Sequence, residues 1–381
     1  MNRQKLLFIS SFNSDILQIN GVAKKLYLEI KTFRDFGYSV DFIEIKNEGC
    51  YLHQENNLIT YLCPFENGYH NTFILLYKIL KSESLYYDVI YFRYEHISFS
   101  MLRFFRKMKN KNNTLIIGEL PTYMKRPYKN SSLKIKIAFY VKKILNNYLP
   151  KQIDYIVTFS DHDKLFRTKT IKIENFIDIE LIKKRKLKIK KQNTCNILTV
   201  AQLTPAHGID LVIEGLYNYY KCSRLTKCYF HIVGNGNILQ DLKNLVEKLG
   251  QQEHVIFYGA LGGEALDAVF DKCDIGIGAL AIFRKKSFKL SELKIREYTA
   301  RALPFVYNSY EPQLNNEFFC KKIAFKNSPV DINEIVDFYN NFEYNENTSK
   351  QMREFAEENF TADVQLGKIN NIIKDHFANS L

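Results

Sequence analysis

Cys195–Tyr220, CNILTVAQLTPAHGIDLVIEGLYNYY, decides how the chain is read. Cys195–Ala201 is a short apolar run, the pattern of a buried strand. Gln202–His207 is a loop carrying Pro205, and Gly208–Tyr220 reads as a helix. The alternation continues downstream. Strands are expected at Cys228–Val233, Val255–Tyr258, Ile275–Ile277 and Phe305–Tyr307, and helices at Leu239–Leu249, Gly263–Phe270 and Leu293–Arg301. Upstream it is the same. Strands are expected at Lys5–Phe12, Ser39–Ile45, Leu58–Cys63, Asp88–Phe92, Thr114–Ile117 and Tyr155–Phe159. Helices are expected at Gly21–Phe36, Thr72–Lys81, Ser98–Met108 and Leu133–Leu149. Nearly all-apolar strands alternating with helices imply an α/β fold, with parallel sheets covered on both faces.

The chain has 381 residues, enough for two domains. Lys183–Gln192, KKRKLKIKKQ, has little apolar content and reads as a linker. The expected organisation is therefore residues 1–182, a basic linker 183–192, a second domain 193–360, and a C-terminal amphipathic helix within 361–381. That helix carries Val364, Leu366, Ile369, Ile372 and Ile373 on one stripe, and we expect it to pack back toward the first domain. Two such units place a cleft between them, with ligands beyond the carboxyl ends of the strands.

Composition narrows the function classes. The hydrophobic fraction of 46% and charged fraction of 25% exclude wholesale disorder, collagen and coiled coil. No apolar run approaches the roughly 20 residues of a membrane span. Met1–Lys5 leads straight into a strand, so no signal peptide is expected. Seven cysteines without a C-x-x-C pair read as reduced cytosolic thiols. The net charge of +13 is concentrated: Met124–Lys191 holds 19 basic and 6 acidic residues. Such a zone attracts an anionic partner, either a membrane face, a lipid phosphate or nucleic acid. No RNA- or DNA-binding motif accompanies it, so nucleic acid is not the expected partner. The helix expected at Leu133–Leu149 has apolar positions at Leu133, Ile137, Val141, Ile144 and Tyr148, beside Lys134, Lys136, Lys142 and Lys143.

Four segments after expected strands could carry chemistry. Asn20-Gly21-Val22 opens the first helix, where backbone N–H groups can meet an anion. Gln202 and His207 lie in the loop that ends at Gly208 and Asp210. Gly234-Asn235-Gly236 is a tight turn between a strand and a helix. The fourth group runs from Arg284, Lys285 and Lys286 through Lys289 to Glu292, Lys294, Arg296 and Glu297 at the start of a helix. A carboxylate such as Glu297 can accept two hydrogen bonds from a vicinal diol such as a ribose, and the cations lie before a helix whose dipole also attracts anions.

Leu293–Val306, LKIREYTARALPFV, resembles the L-K-x-x-E-Y-x-A-x-G-x-P-x-V helix of glycosyltransferase family 4. Also similar are His231–Gly236 (HIVGNG) and Asn175-Phe176-Ile177-Asp178. Enzymes of surface-polysaccharide clusters look closer still, through His207-Gly208-Ile209-Asp210, Leu280–Lys285 and Glu119–Tyr123 (ELPTY). The resemblance implies the GT-B architecture: two Rossmann-like domains with parallel sheets facing an interdomain cleft. It implies a retaining transferase, independent of metal, that moves a sugar from a UDP- or GDP-linked donor to a saccharide or polyprenyl-linked acceptor. No separate cofactor is implied. The expected location is cytoplasmic, with a peripheral seat on the inner membrane face through residues 124–191.

The family's pattern carries over residue by residue, with departures. Glu297 matches the ribose-binding glutamate, while Lys289 stands where the partner glutamate is usual. Gln202 and His207 replace an Arg and a Lys that hold the donor pyrophosphate. Arg284, Lys289 and Lys294 are then the expected phosphate ligands. Glu119 stands where a first-domain histidine often lies near the reacting carbon. The expected catalytic set is Arg284, Lys289, Glu119 and His207. The expected donor-binding set is Gly21, Gln202, Gly208, Gly234, Gly236, Lys294 and Glu297. The competing readings are a nucleotide-sugar epimerase on the same fold and a non-enzymatic nucleic-acid-binding protein.

Overall fold

The computed structural model describes residues 3–14, 21–46, 48–64, 68–82, 85–93, 98–120, 140–141, 143–187, 193–222, 225–285, 291–324 and 327–379. They form two compact units, residues 1–174 with 362–381, and residues 175–361.

The first unit begins with β1 (Lys5–Phe12), α1 (Gly21–Asp35), β2 (Ser39–Lys46), β3 (Gly49–His53), β4 (Ile59–Cys63) and α2 (Gly68–Ser82). It continues through β5 (Val89–Arg93), α3 (Phe99–Asn112), β6 (Leu115–Leu120), β7 (Tyr155–Thr158), β8 (Lys164–Leu165) and β9 (Thr168–Lys172). The strand order is β4-β3-β2-β1-β5-β6-β7-β9-β8. Six central strands are parallel, but β3, β4 and β8 are antiparallel, so the expected all-parallel sheet is mixed at both edges. β3 was not expected. Its five residues alternate, with Cys50 and Leu52 buried, but so short a run carries little period-2 signal.

The expected helix at Leu133–Leu149 lies partly outside the described residues, at 133–139 and 142. Residues 140–141 and 143–146 are helical. Here the phase differs from expectation. Leu145 and Leu149 enter the core, whereas Val141, Ile144 and Tyr148 are exposed. The apolar residues are dense enough here to fit two stripes, and contact with Ile153, Ile156 and Leu165 in one buried cluster picks the Leu145/Leu149 stripe.

The second unit is the plainer doubly wound domain. It contains β10 (Thr194–Val200), α4 (Ile209–Tyr220), β11 (Lys227–Val233), α5 (Leu239–Lys248), β12 (Val255–Gly259), α6 (Gly263–Lys272) and β13 (Ile275–Ile277). Then come α7 (Leu293–Ala300), β14 (Phe305–Tyr307), β15 (Cys320–Lys322), α8 (Ile332–Asn341) and α9 (Glu346–Asn359). All six strands are parallel, in the order β12-β11-β10-β13-β14-β15. Counted from β10 this is 3-2-1-4-5-6, the dinucleotide-fold order, which reverses between β10 and β13.

The chain passes into this unit at Asn175, before the expected linker. Ile177 N–H donates to Phe360 O (2.9 Å), and Arg353 donates to the carbonyls of Ile179 (2.8 Å) and Ile182 (2.7 Å). Arg185 is buried and donates to the carbonyls of Ala302 (3.1 Å) and Cys273. Lys183, Arg185 and Lys186 of the basic run are thus bonded to the second unit, while 188–192 lie outside the described residues. The last helix, α10 (Ala362–Ala378), returns to the first unit and packs on α1. The Tyr38 hydroxyl donates to Asn370 there at 2.8 Å.

Candidate functional site

Because β10 and β13 are parallel neighbours, the loops after them emerge together at the carboxyl edge of the second sheet. They are joined backbone to backbone: Leu280 N–H donates to His207 O, and Ala281 N–H to Ala206 O, both at 3.1 Å. Gly208 makes the first loop possible. Its φ of +68° is left-handed, and a Cβ there would lie 3.1 Å from Ala281 N. Gly208 precedes α4, whose first turn has no side-chain cap. Its N–H groups and dipole therefore favour negative charge.

The Gly234-Asn235-Gly236 turn forms the next wall. Leu203 N–H donates to Asn235 O at 2.8 Å. A Cβ on Gly234 would sit 1.8 Å from Ala201 O, and one on Gly236 2.0 Å from Leu203 O. Both glycines are therefore demanded by contact with the β10 loop backbone.

Charged side chains gather beside these loops. Arg284 donates through both terminal nitrogens to Asp210, each at 2.8 Å, and to Pro205 O at 2.9 Å. Lys294 is buried with Nζ 3.4 Å from Thr199 Oγ1 at the end of β10. Glu292 is buried, and its Oε2 accepts from Ala279 N at 2.7 Å. Burial pushes the Glu292 carboxyl up, with Lys294 pulling against it. Glu297 is half-buried and accepts from Arg301 Nε at 2.9 Å. Gln202 is exposed and His207 half-buried. Lys289 lies outside the described residues.

The crowding of charge at this helix has a largely internal explanation. Arg296 is fully buried and makes two bonds to Glu311, at 2.9 and 2.7 Å. Leu293 is 44% exposed, while Lys294 and Arg296 are buried with Ile295 and Tyr298. Hydrophobic periodicity assigns charged positions to solvent and so misses a helix whose buried charges have buried partners. Glu311 lies 15 residues beyond Arg296, outside any helical spacing that would have flagged it.

Gly21 and Glu119 belong to the first unit. Gly21 opens α1, and Glu119 is fully buried near the end of β6. The first sheet reverses between β1 and β5, so β5 and β6 end near its own switch point. Glu119 accepts from Lys25 Nζ (2.9 Å), Arg93 (3.2 Å) and the Tyr91 hydroxyl (3.0 Å). Burial alone would raise the Glu119 carboxyl, but Lys25 and Arg93 outweigh it and hold it below the ordinary range. Glu29, 3.2 Å from Lys25, is pushed up to about 7 by burial and by Glu119. Lys25, Glu29, Tyr91 and Arg93 were missed from sequence; Lys25–Glu29 spacing on one helix was the only local signal.

One cavity lies elsewhere in the second unit. About 550 Å³ in volume, it is lined by Asn196, His231 and Asp274 among others, toward the amino ends of β10 and β13. His231 there is bonded to Tyr258 (2.9 Å) and Asn196 (3.0 Å). In doubly wound sheets ligands bind at the carboxyl edge, the opposite end from this cavity.

Residues 178–278, which include β10 to β13 and the two-glycine turn, match the family described as glycosyl transferases group 1. No curated protein matches the chain as a whole sequence. Among solved structures, the glycosyltransferase from Rickettsia africae is 16% identical with a TM-score of 0.70, over 98% of this chain and 99% of that one. Sucrose-phosphate synthase from Thermosynechococcus elongatus is 12% identical with a TM-score of 0.69, over 99% and 100%. The Anabaena protein HepE, in complex with UDP, is 12% identical with a TM-score of 0.61, over 98% and 100%. The fold is that of the GT-B glycosyltransferases. The family match and this fold together support a glycosyltransferase.

Proposed function

We propose that the chain is a retaining, metal-independent glycosyltransferase. It takes a sugar from a UDP- or GDP-linked donor and passes it to a saccharide or lipid-linked saccharide, in the assembly of a bacterial surface polysaccharide. The observation that carries this reading is the paired 201–208 and 278–285 loops at the β10/β13 reversal, inside the segment that matches the glycosyl transferases. Solved complexes of the Anabaena protein with UDP and with UDP-glucose support a uridine donor.

In this reading Glu297 holds the ribose diol. Lys294, Lys289, Arg284 and the uncapped start of α4 meet the diphosphate, with Gln202 and His207 along the same loop. The bond from the anomeric carbon to the diphosphate oxygen breaks, and the acceptor oxygen bonds to that carbon on the same face. The acceptor proton passes to the departing phosphate, so no protein nucleophile is required. Positive groups fixed before the reaction stabilise the leaving diphosphate, commonly the largest contribution to such catalysis. Glu119, ionised by its cations, is the first-unit group we assign to the acceptor side.

The test is a melting-temperature screen with UDP, GDP and their sugar conjugates, because a ligand of the native state raises the midpoint by mass action. One nucleotide is expected to shift the wild type. Glu297→Gln should weaken it about tenfold or more, as expected for losing a charged hydrogen bond. A full set of unmoved midpoints, or a Gln variant with unchanged affinity, would remove the donor assignment.

A further inference from the structure

We propose that Cys50 and Cys63 form a dithiol modification site, which a hydroperoxide closes into a disulfide that pins β4 to β3. Both are free thiols in this structure, and they are Cα partners in the antiparallel β3–β4 ladder. Both are buried, and both belong to the core cluster that holds Phe73 and Leu76 of α2. Their side chains therefore leave the sheet on the same face. On the other face the partners Tyr51 and Tyr61 meet edge to face, with ring centroids 5.5 Å apart. The register then shifts between Tyr51 and Cys50, so that Leu62 and Cys63 are consecutive and both buried. An unbroken register would set Leu62 opposite Cys50 and turn Cys63 outward with Tyr61. The shift is what brings the second thiol across from the first. Partners in an antiparallel pair lie about 4.5–5.5 Å apart between Cα atoms, inside the roughly 4.4–6.8 Å that a disulfide spans.

A free cysteine also packs as a small hydrophobe, which accounts for the burial of each residue alone but not for their facing one another. Access comes from position. Among the described residues β4 is the end strand of its sheet, five residues long, with β3 beside it and with Ile59 and Tyr61 exposed. Short end strands open locally at far lower cost than central ones, and such opening admits a peroxide to the sulfurs. The thiolate of one cysteine attacks a peroxide oxygen, the O–O bond breaks, and the leaving oxygen takes up a proton. The second sulfur then attacks the sulfenic sulfur, the S–O bond breaks, and water leaves with the second thiol's proton. The two thiols give up two electrons and the peroxide accepts them. A thiol reductant reverses the step by exchange. Cys195 and Cys228 supply the contrast. They are register partners too, but lie fully buried on β10 and β11, each of which has a strand on both sides. They should stay reduced while the hairpin closes. The site belongs to the first unit and does not depend on the donor assignment, which is tested by nucleotide binding.

The experiment treats the full chain with hydrogen peroxide, blocks remaining thiols with iodoacetamide in denaturant, and maps the digest by mass spectrometry with and without dithiothreitol. A peptide linked through Cys50 and Cys63 is expected, lighter than the two thiols by a pair of hydrogens and opened by dithiothreitol, with Cys195 and Cys228 carrying the block. The oxidised chain should melt roughly 5 °C higher, because the link restrains the unfolded hairpin. Amide exchange in Ile59–Cys63 should slow about tenfold as local opening is suppressed. Cys63→Ala, which keeps a small apolar side chain, should lose the link and both shifts. Cys50 and Cys63 still fully blocked by iodoacetamide after peroxide has oxidised the exposed Cys222 would overturn the proposal. So would a link from either residue to a different cysteine, or a Cys63→Ala chain whose melting and exchange respond to peroxide as wild type does.

Discussion

Arg284 and Asp210 face each other through two parallel hydrogen bonds of 2.8 Å, across 74 residues of sequence. The pair ties the turn after β13 to the first turn of α4, and a further bond from Arg284 to Pro205 O closes the β10 loop against it. A planar guanidinium meeting a carboxylate in this way fixes orientation as well as distance. Both side chains are partly open to solvent, so the pair contributes modestly to stability and chiefly holds the two loops in register.

Removing either partner should therefore cost about 1 kcal/mol of stability, with a coupling of similar size in a double-mutant cycle. Activity separates clamp from ligand. If Arg284 also meets the donor diphosphate, Arg284→Ala will lower kcat/KM about tenfold or more beyond Asp210→Ala, and beyond His207→Ala. Equal losses in the Arg284 and Asp210 variants would confine Arg284 to positioning. Steady-state kinetics with the donor found by the melting screen reads this directly.

Arg296 and Glu311 pose the opposite case, a pair with almost no solvent access. Burial pushes Glu311 up while Arg296 pulls it back. Glu311→Gln leaves a buried guanidinium without its counter-charge and should cost about 3–5 kcal/mol. Arg296→Met combined with Glu311→Leu should recover much of that loss, because it removes both desolvation costs. Denaturant unfolding of the three proteins measures the difference, and a single variant as stable as wild type would show the pair to be dispensable.

Two glycines should respond in opposite directions to alanine. A Cβ on Gly236 would sit 2.0 Å from a backbone carbonyl oxygen, which cannot move without disturbing the β10 loop. Gly236→Ala should cost about 3 kcal/mol or more and weaken nucleotide binding. Gly367 lies inside α10 with nothing within 4 Å of its would-be Cβ. There alanine should add roughly 0.5–1 kcal/mol by lowering the entropy of the unfolded chain. Paired melting curves suffice.

Glu29 sets a pH dependence. Its folded value of about 7 lies above the ordinary 4.5, so the native state holds a proton that the unfolded chain releases between those limits. The stabilisation is complete below the unfolded value and is lost as pH rises through about 7. Glu119 acts in reverse: its depressed value gives stability that is lost as pH falls through its folded value. Glu29→Gln, permanently neutral, should flatten the loss between mildly acidic and neutral pH. It should exceed wild type by roughly 1–3 kcal/mol at pH about 8. Identical stability–pH curves for the two proteins would exclude Glu29 as the source.

The alternation of elements and the two-unit plan were legible in the residues. Cys195–Ala201 and Ile275–Ile277 read as strands because a strand covered on both faces must be apolar throughout, and that requirement acts locally. The helices at 21–35, 209–220 and 239–248 followed from spacing for the same reason. The loops we propose to flank the donor could be marked too, since they follow strands. β3 and the β8–β9 hairpin escaped because runs of two to five residues hold too few positions for a period to emerge.

Pairing across the fold belonged to the tertiary structure alone. Lys25 reaches Glu119 across 94 residues, and Arg284 reaches Asp210, only because strand order brings the ends of separate strands together. The same holds for Gly234 and Gly236, whose need to lack a side chain comes from the carbonyls of Ala201 and Leu203. It holds as well for the stripe at Tyr140, Ile144 and Tyr148, where the sequence offers two apolar faces and contact with Leu165 and Ile153 chooses the other one. Hydrophobic period is a property of neighbours in the chain. Which charge meets which, and which apolar face is left outside, depends on the order and register in which distant strands pair, and no local pattern encodes that.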